Sequence, residues 1–456
     1  MSETKQLGKR ERTLFVWMLL LTSFSFSISQ SAMTTIYPVM ANHFSVPISM
    51  VQWLTTGFML VMTVTMPLSP WLLNRVPFKW FLAGIQAMFL LGIFIAINAT
   101  GFGWVILGRV LEGAAVGFLF PSYQSVIMLI TPEENRGASM GMVGLVMGAA
   151  LATGPIVSGI ISQWFNWQGV FVFFELVIGL LFLVNLFVGQ NVIVKKDVHL
   201  DVPSLIGLFG FAMVLFGIQS LGHTTKLISM IAMMMVGLVL SVYFVHRQGN
   251  LSQPMLDFKV FKQFGFTLGL LLTGASYIAL IVMTVLMPLY YQNVLHTSKF
   301  VSGLLMVPPA AAMAVMNRRS GKLLDQKGLK VVMRIGAASI FIGYAGLALT
   351  FGLHNAILAV IFATFGEVGN AFMMLPATTY ANNQLPDNLI THGSAMISTA
   401  RQFAGVIGVL VATTIVSGLG NGLHSAYIVF ALGMAVMIVT VWRITAIYHG
   451  ENSFDK

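Results

Sequence analysis

"GKLLDQKGLK", residues 321–330, is a polar island between two long apolar stretches. It holds three lysines, an aspartate and two glycines. A second island, "PWLLNRVPFK" at residues 70–79, is a worn copy of it. Leu72 and Leu73 match Leu323 and Leu324, Asn74 matches Asp325, and Lys79 matches Lys330, each pair 251 residues apart. A chain that repeats a polar hinge between apolar runs is built from two halves in the same orientation.

The 456 residues are 57% hydrophobic and 8% charged. Soluble proteins carry about 25% charged residues, so most of this chain faces lipid or other apolar helices. There is no cysteine, which excludes disulfides, thiol chemistry and cysteine metal sites. The N-terminal "MSETKQLGKRER" is basic, and the apolar run behind it is longer than the ~7–15-residue core of a signal peptide. It reads as a first membrane span that stays.

A span needs about 20 apolar residues. Fourteen stretches qualify, near 14–38, 50–71, 80–98, 103–128, 138–160, 168–188, 203–221, 227–246, 264–289, 301–317, 330–351, 355–379, 392–415 and 425–445. A re-entrant segment in place of one weak span is the alternative. The longest polar break, "HRQGNLSQPMLDFKVFKQ", is too short for a soluble domain. One set of alternate loops, with both termini, holds 20 of the 24 lysines and arginines. The opposite loops hold Lys226 and Lys299, and Arg109 and Arg401 lie inside spans. Basic loops stay cytoplasmic, so both termini are expected there. The net charge of +10 is thus a topology signal and not a nucleic-acid footprint. The expected class is an all-α integral membrane protein. A six-helix bundle (1–190), two extra spans with linkers (191–262) and a second six-helix bundle (263–456) make up the chain. Parallel repeats of this kind are a transporter signature.

Gly321, Leu323, Asp325, Gly328 and Lys330 spell G-x-L-x-D-x-x-G-x-K, which resembles the signature loop of the major facilitator superfamily. "GRVLEGAAVG", with Arg109 and Gly113, resembles that family's fourth-helix motif. "GLVMGAALATGPIVSG", with Gly148, Gly154, Pro155 and Gly159, resembles the fifth-helix motif of its drug exporters. "ARQFAGVIG", with Arg401, Gly405 and Gly408, resembles the thirteenth helix of its fourteen-span drug:proton antiporters. The resemblance covers nearly the whole chain and implies the major facilitator fold.

Gly141, Gly144, Gly148 and Ala152 fall at spacings of three and four and form one small-residue stripe, which lets helices approach closely. It serves packing, and with a bend at Gly154-Pro155 it would also let the halves rock, since proline removes a backbone donor. The lysines around Asp325 either only set topology, or Asp325 also caps a neighbouring helix N-terminus. The resemblance implies the second. Asn74, beside Arg75, cannot supply that charge, so any latch is expected to be lopsided.

Eleven of the 14 acids lie in loops or tails, and Glu112, Glu175 and Glu367 lie inside spans. A charge near mid-bilayer costs several kcal/mol and marks a functional candidate. By helix rise, Glu175 lies roughly 11 Å and Glu367 roughly 18 Å below the outer face. Desolvation favours the protonated form of a carboxyl, so these are the candidates for proton coupling. The bland alternative is a glutamate bonded to a neighbouring helix for assembly. Glu112 lies three residues from Arg109 on one helix face, and an internal ion pair is its plain reading. Ser29, Gln30, Asn370, Arg109 and Arg401 are expected to line the substrate cavity, with Arg401 facing Glu367. The family's first-helix acid is replaced by Ser29 in "SISQSAMTTIYP", its sixth-helix arginine by Gln168, and Glu175 stands where asparagine is usual. The family's preference for lipophilic cations therefore does not carry over directly. Thirty methionines and 35 phenylalanines suit a deformable pocket, and suit lipid-facing packing equally.

The expected function is proton-driven export of amphipathic drugs or related compounds by alternating access. A proton-coupled carrier for one metabolite or nutrient is the second reading. No loop has room for a catalytic domain and the histidines show no metal spacing. No enzyme, cofactor or metal is expected; the proton gradient is the driving force. The expected partners are a small amphipathic substrate, protons and the lipid bilayer, without nucleic acid, and the expected state is a monomer in the bacterial plasma membrane.

Overall fold

The computed structural model describes residues 8–193, 200–220, 227–418 and 422–447. Lys5, Lys195, Lys196, Lys226 and Lys456 lie outside the described residues. The chain is helical because a span in lipid must satisfy every backbone donor and acceptor internally. The long helices are α1 (Lys9–Phe44), α2 (Trp53–Arg75), α3 (Phe78–Ile97), α4 (Phe102–Ile130), α5 (Arg136–Trp164) and α6 (Trp167–Val188). Then come α7 (Val202–Ser220), α8 (Leu227–Asn250), α9 (Phe264–Leu289), α10 (307–327), α11 (329–350), α12 (Ala356–Asn383), α13 (Asp387–Gly418) and α14 (Gly422–Ile447). Gly328, at φ 73°, separates α10 from α11, a left-handed backbone that glycine adopts without a Cβ penalty.

Eleven stretches are long and apolar enough to cross a membrane, and one of them, 301–353, contains both α10 and α11. The shorter apolar α7 and the glycine-rich α5 complete the fourteen. On α6, Leu176, Leu180, Leu183 and Phe187 are exposed along one stripe while Phe171, Phe174 and Ile178 are buried. This is the 3.6-residue period expected between lipid and bundle.

The two six-helix bundles repeat each other's packing. α1 packs on α5 as α9 packs on α13, α3 on α4 as α11 on α12, and α3 on α6 as α11 on α14. Between the bundles, α5 runs along α10, and α13 packs on α2 and α4. The α7–α8 hairpin leans on both halves: Phe216 meets Trp53 of α2 at 5.4 Å and Phe211 meets Phe403 of α13 at 5.7 Å. Arg247 closes this hairpin with two hydrogen bonds to Asp201, at 2.5 and 2.7 Å, and holds that carboxyl down to about 2.

Candidate functional site

α5 begins at Arg136, a cation at the end of a helix where the backbone dipole favours an anion. The other half supplies that anion. Asp325, at the end of α10, accepts hydrogen bonds from the N–H groups of Gly137 (2.8 Å) and Ala138 (2.7 Å). These are two of the donors that a helix cannot satisfy itself. Arg136 turns across the seam as well: Nη2 donates to Asp387 Oδ1 and Nη1 to Asn383 Oδ1, both at 3.3 Å. Asp387 is the first residue of α13 and stands 251 residues after Arg136, the spacing of the repeat. α13 thus carries its own acid, and the buried Asn74, at the end of α2, is neutral. The lopsided pair of islands has a physical cause: the helix that starts with a cation receives an aspartate, and the helix that starts with an acid does not need one. Arg75 stacks its guanidinium over Trp71 at 5.6 Å.

Glycines let the two backbones meet beneath this corner. A Cβ on Gly141 would lie 2.5 Å from the Asn317 carbonyl oxygen, and one on Gly148 would lie 3.3 Å from Ala314 Cα. A Cβ on Gly321 would collide with the Gly137 carbonyl, and one on Gly144 with Leu375. The stripe is therefore the seam between the halves. Gly154 faces Ser31 and Ala32 of α1, inside its own half, and Gly159 faces open space. The side chains of Ala152 and Pro155 lie outside the described residues. The contacts of Gly137 and Gly141 with Asn317, Gly321 and Asp325 lie toward the lysine- and arginine-rich end of α10, and the stripe continues to Gly148 against Met313 and Ala314.

Arg109 and Glu112 form a buried ion pair at 2.5 Å. Arg109 Nε also donates to the Leu54 carbonyl at 3.2 Å, and Ser29 Oγ reaches Glu112 Oε2 at 3.5 Å. Ser29 is buried and Gln30 is half-buried beside it. Glu367 is buried within the second bundle beside Tyr344, and its Oε2 has no hydrogen-bond partner. Asn370, one turn on, accepts from Ser276 at 2.8 Å and donates to Gly366 at 3.1 Å. Glu175 is half-buried on α6, next to the exposed Leu176. Neither glutamate stands at the seam between the halves.

Arg401 does stand near that seam. It lies 14 residues into the 32-residue α13 and is 4% exposed. Its guanidinium sits 5.8 Å from the Tyr277 ring centroid, with Tyr123 of α4 nearby, and Nη1 has no partner. No acid among the described residues pairs with it. Burying a lone charge costs several kcal/mol, of which a desolvated ring face returns about 2 or somewhat more. Its neighbours are these tyrosines and not Glu367.

Sequence reasoning missed Arg136, Asp387, Tyr123 and Tyr277. The repeat spacing could have found the first two, since it aligns the first residues of α5 and α13. Nothing in the sequence selects the two tyrosines, which are two of ten tyrosines among 35 phenylalanines and eight tryptophans spread along the chain.

The profile described as Major Facilitator Superfamily matches residues 19–409. The MFS-type transporter YcnB of Bacillus subtilis is 31% identical over 442 residues, 92% of either chain. The lincomycin resistance protein LmrB of Listeria monocytogenes is 32% identical over 406 residues, 87% of this chain and 85% of that protein. The riboflavin transporter RibZ of Clostridioides difficile is 22% identical over 389 residues, 84% of each. Among solved structures, the proton:xylose symporter XylE superposes with a TM-score of 0.69 over 96% of each chain at 13% identity, which shows a shared fold.

Proposed function

The chain belongs to the major facilitator superfamily, and from that premise we propose that it is a proton-coupled exporter of amphipathic compounds, of the fourteen-span drug:proton antiporter type, working by alternating access. The observation that carries this reading is the seam. Two repeated bundles meet through backbone-tight glycine contacts and a short set of polar bonds, a joint that can open without unfolding either bundle. The basic-loop bias supports reading the joined end and both termini as cytoplasmic, and on that reading the conformer is the one closed to the cytoplasm. The similarity to a lincomycin resistance protein supports a drug-like cargo. The similarity to a riboflavin transporter supports the second reading, a carrier for one metabolite. Glu112, Glu367 and Glu175 are the candidates for the coupling proton, Glu367 foremost because it is a buried carboxyl with no cationic partner among the described residues.

The test is transport of a chemically varied compound panel into inverted vesicles, with and without a collapsed pH gradient. Gradient-dependent uptake of several unrelated compounds is the expected result. One saturable substrate alone would favour the metabolite carrier, and uptake indifferent to the gradient would refute proton coupling.

A further inference from the structure

The cluster around Arg401 is unlike the rest of the interior. Buried polar atoms are nearly always hydrogen-bonded. Here Tyr123 Oη lies beside Ser23 and Gln124, and none of the three closes a bond of good geometry: Ser23 Oγ, Tyr123 Oη and both side-chain polar atoms of Gln124 have no partner. Arg401 Nη1 adds a fifth such atom, on the other side of the seam. One and two turns back on α13, Ser394 and Ser398 stand on the same helix face as Arg401, and their hydroxyls are also buried without a partner. Ser23 and Tyr123 come from the first bundle, and Ser394, Ser398 and Arg401 from the second, so both moving bodies contribute.

The set is rich in donors. A guanidinium and an amide NH2 only donate, four hydroxyls can donate as well as accept, and only Gln124 Oε1 is a pure acceptor. Among the described residues no carboxylate pairs with the buried cation, while the other arginine in a span, Arg109, has Glu112 at 2.5 Å. A group that brings negative charge and several acceptor oxygens would satisfy the cluster. The planar fork of arginine fits carboxylate and phosphate geometry.

We propose that the Arg401 cluster is an anion subsite, so that the exported compounds are amphipaths bearing an oxyanion that Arg401 pairs with at the seam between the halves. This rests on the exporter reading above. It also assigns Arg401 a role that opposes a preference for lipophilic cations.

The probes are a carboxylate-bearing xanthene dye, its methyl ester, and chloride or inorganic phosphate. In inverted vesicles, wild type is expected to accumulate the acid, and Arg401→Gln to lower the acid-to-ester ratio at least tenfold. Arg401→Lys, which keeps the charge and loses the fork, should fall between them. If Arg401→Gln does not fold, the lysine variant carries the comparison. In parallel, the acid should raise the unfolding temperature of the purified full chain, and do so less in either variant. Wild type that moves the ester but not the acid overturns the subsite and leaves the exporter reading standing. Wild type that moves no compound overturns the exporter reading, and the unfolding temperature then decides on the subsite alone. Stabilisation by chloride or phosphate with no advantage for the dye acid means a resident inorganic ion, and overturns the proposal.

Discussion

Replacing Asp325 with asparagine tests the latch at the joined end. The carboxylate accepts two short bonds from the first turn of α5. Each hydrogen bond to a charged group contributes roughly 1.5–3 kcal/mol, and a negative charge at a helix N-terminus adds about 0.3–1 kcal/mol. The asparagine oxygen keeps one bond and loses the other together with the charge, a loss of about 2–4 kcal/mol. At about 1.4 kcal/mol per factor of ten, that weakens the closed state roughly 30- to 1,000-fold. Conformers of such a protein differ by only a few kcal/mol, so the population should invert. The absence of cysteine makes the measurement clean. Spin labels on cysteines at the exposed Glu134 and Gln326 sit on opposite halves beside the seam. Asp325→Asn should shift their distance distribution to longer values and lower transport. Asn74→Asp should change either by less than about threefold, because the gain at the α13 N-terminus is offset by repulsion from Asp387. An unchanged distance distribution in Asp325→Asn would refute the latch.

Three further outcomes are expected. Gly141→Val should block closure, since its side chain meets the α10 backbone; Gly154→Val should impair assembly of the first bundle at α1; and Gly159→Val should be tolerated. Transport together with membrane yield separates the three, and a fully active Gly141→Val would sink the seam assignment. Glu112→Gln leaves Arg109 buried and unpaired, so it should lower stability by roughly 3–5 kcal/mol, read as an unfolding temperature in detergent. Glu367→Gln breaks no ion pair, so it should leave that temperature nearly unchanged while abolishing uphill transport and sparing downhill exchange; retained gradient-driven uptake would move the coupling role to Glu112 or Glu175. For Asp201, the folded carboxyl sits at about 2, below its ordinary value. Its stabilising pair with Arg247 is then complete at neutral pH and is lost only as pH falls below about 4 towards 2. Asp201→Asn should therefore lower the unfolding temperature equally at pH 8 and pH 6, and a difference growing between those values would contradict the assignment.

Hydropathy and the 251-residue spacing made the long helices, their order and the two repeated halves legible in the amino-acid sequence. These are local properties: a span is apolar over its own length, and a glycine stripe recurs at its own helical period. The capping role of Asp325 and the pairing of Arg109 with Glu112 were legible for the same reason, since a motif and a three-residue spacing carried them. Helix rise gives how far along their own helices Glu175 and Glu367 lie. Rise says nothing of which neighbour a side chain meets across a gap between helices. Only the tertiary structure placed Glu175 beside lipid-facing leucine and Glu367 inside one bundle. It also gave Gly148 to the seam and Gly154 to α1, joined Arg136 to Asp387, and left Arg401 among tyrosines without an acid. Those partners come from helices far apart in the chain, and their meeting is set by how the bundles pack.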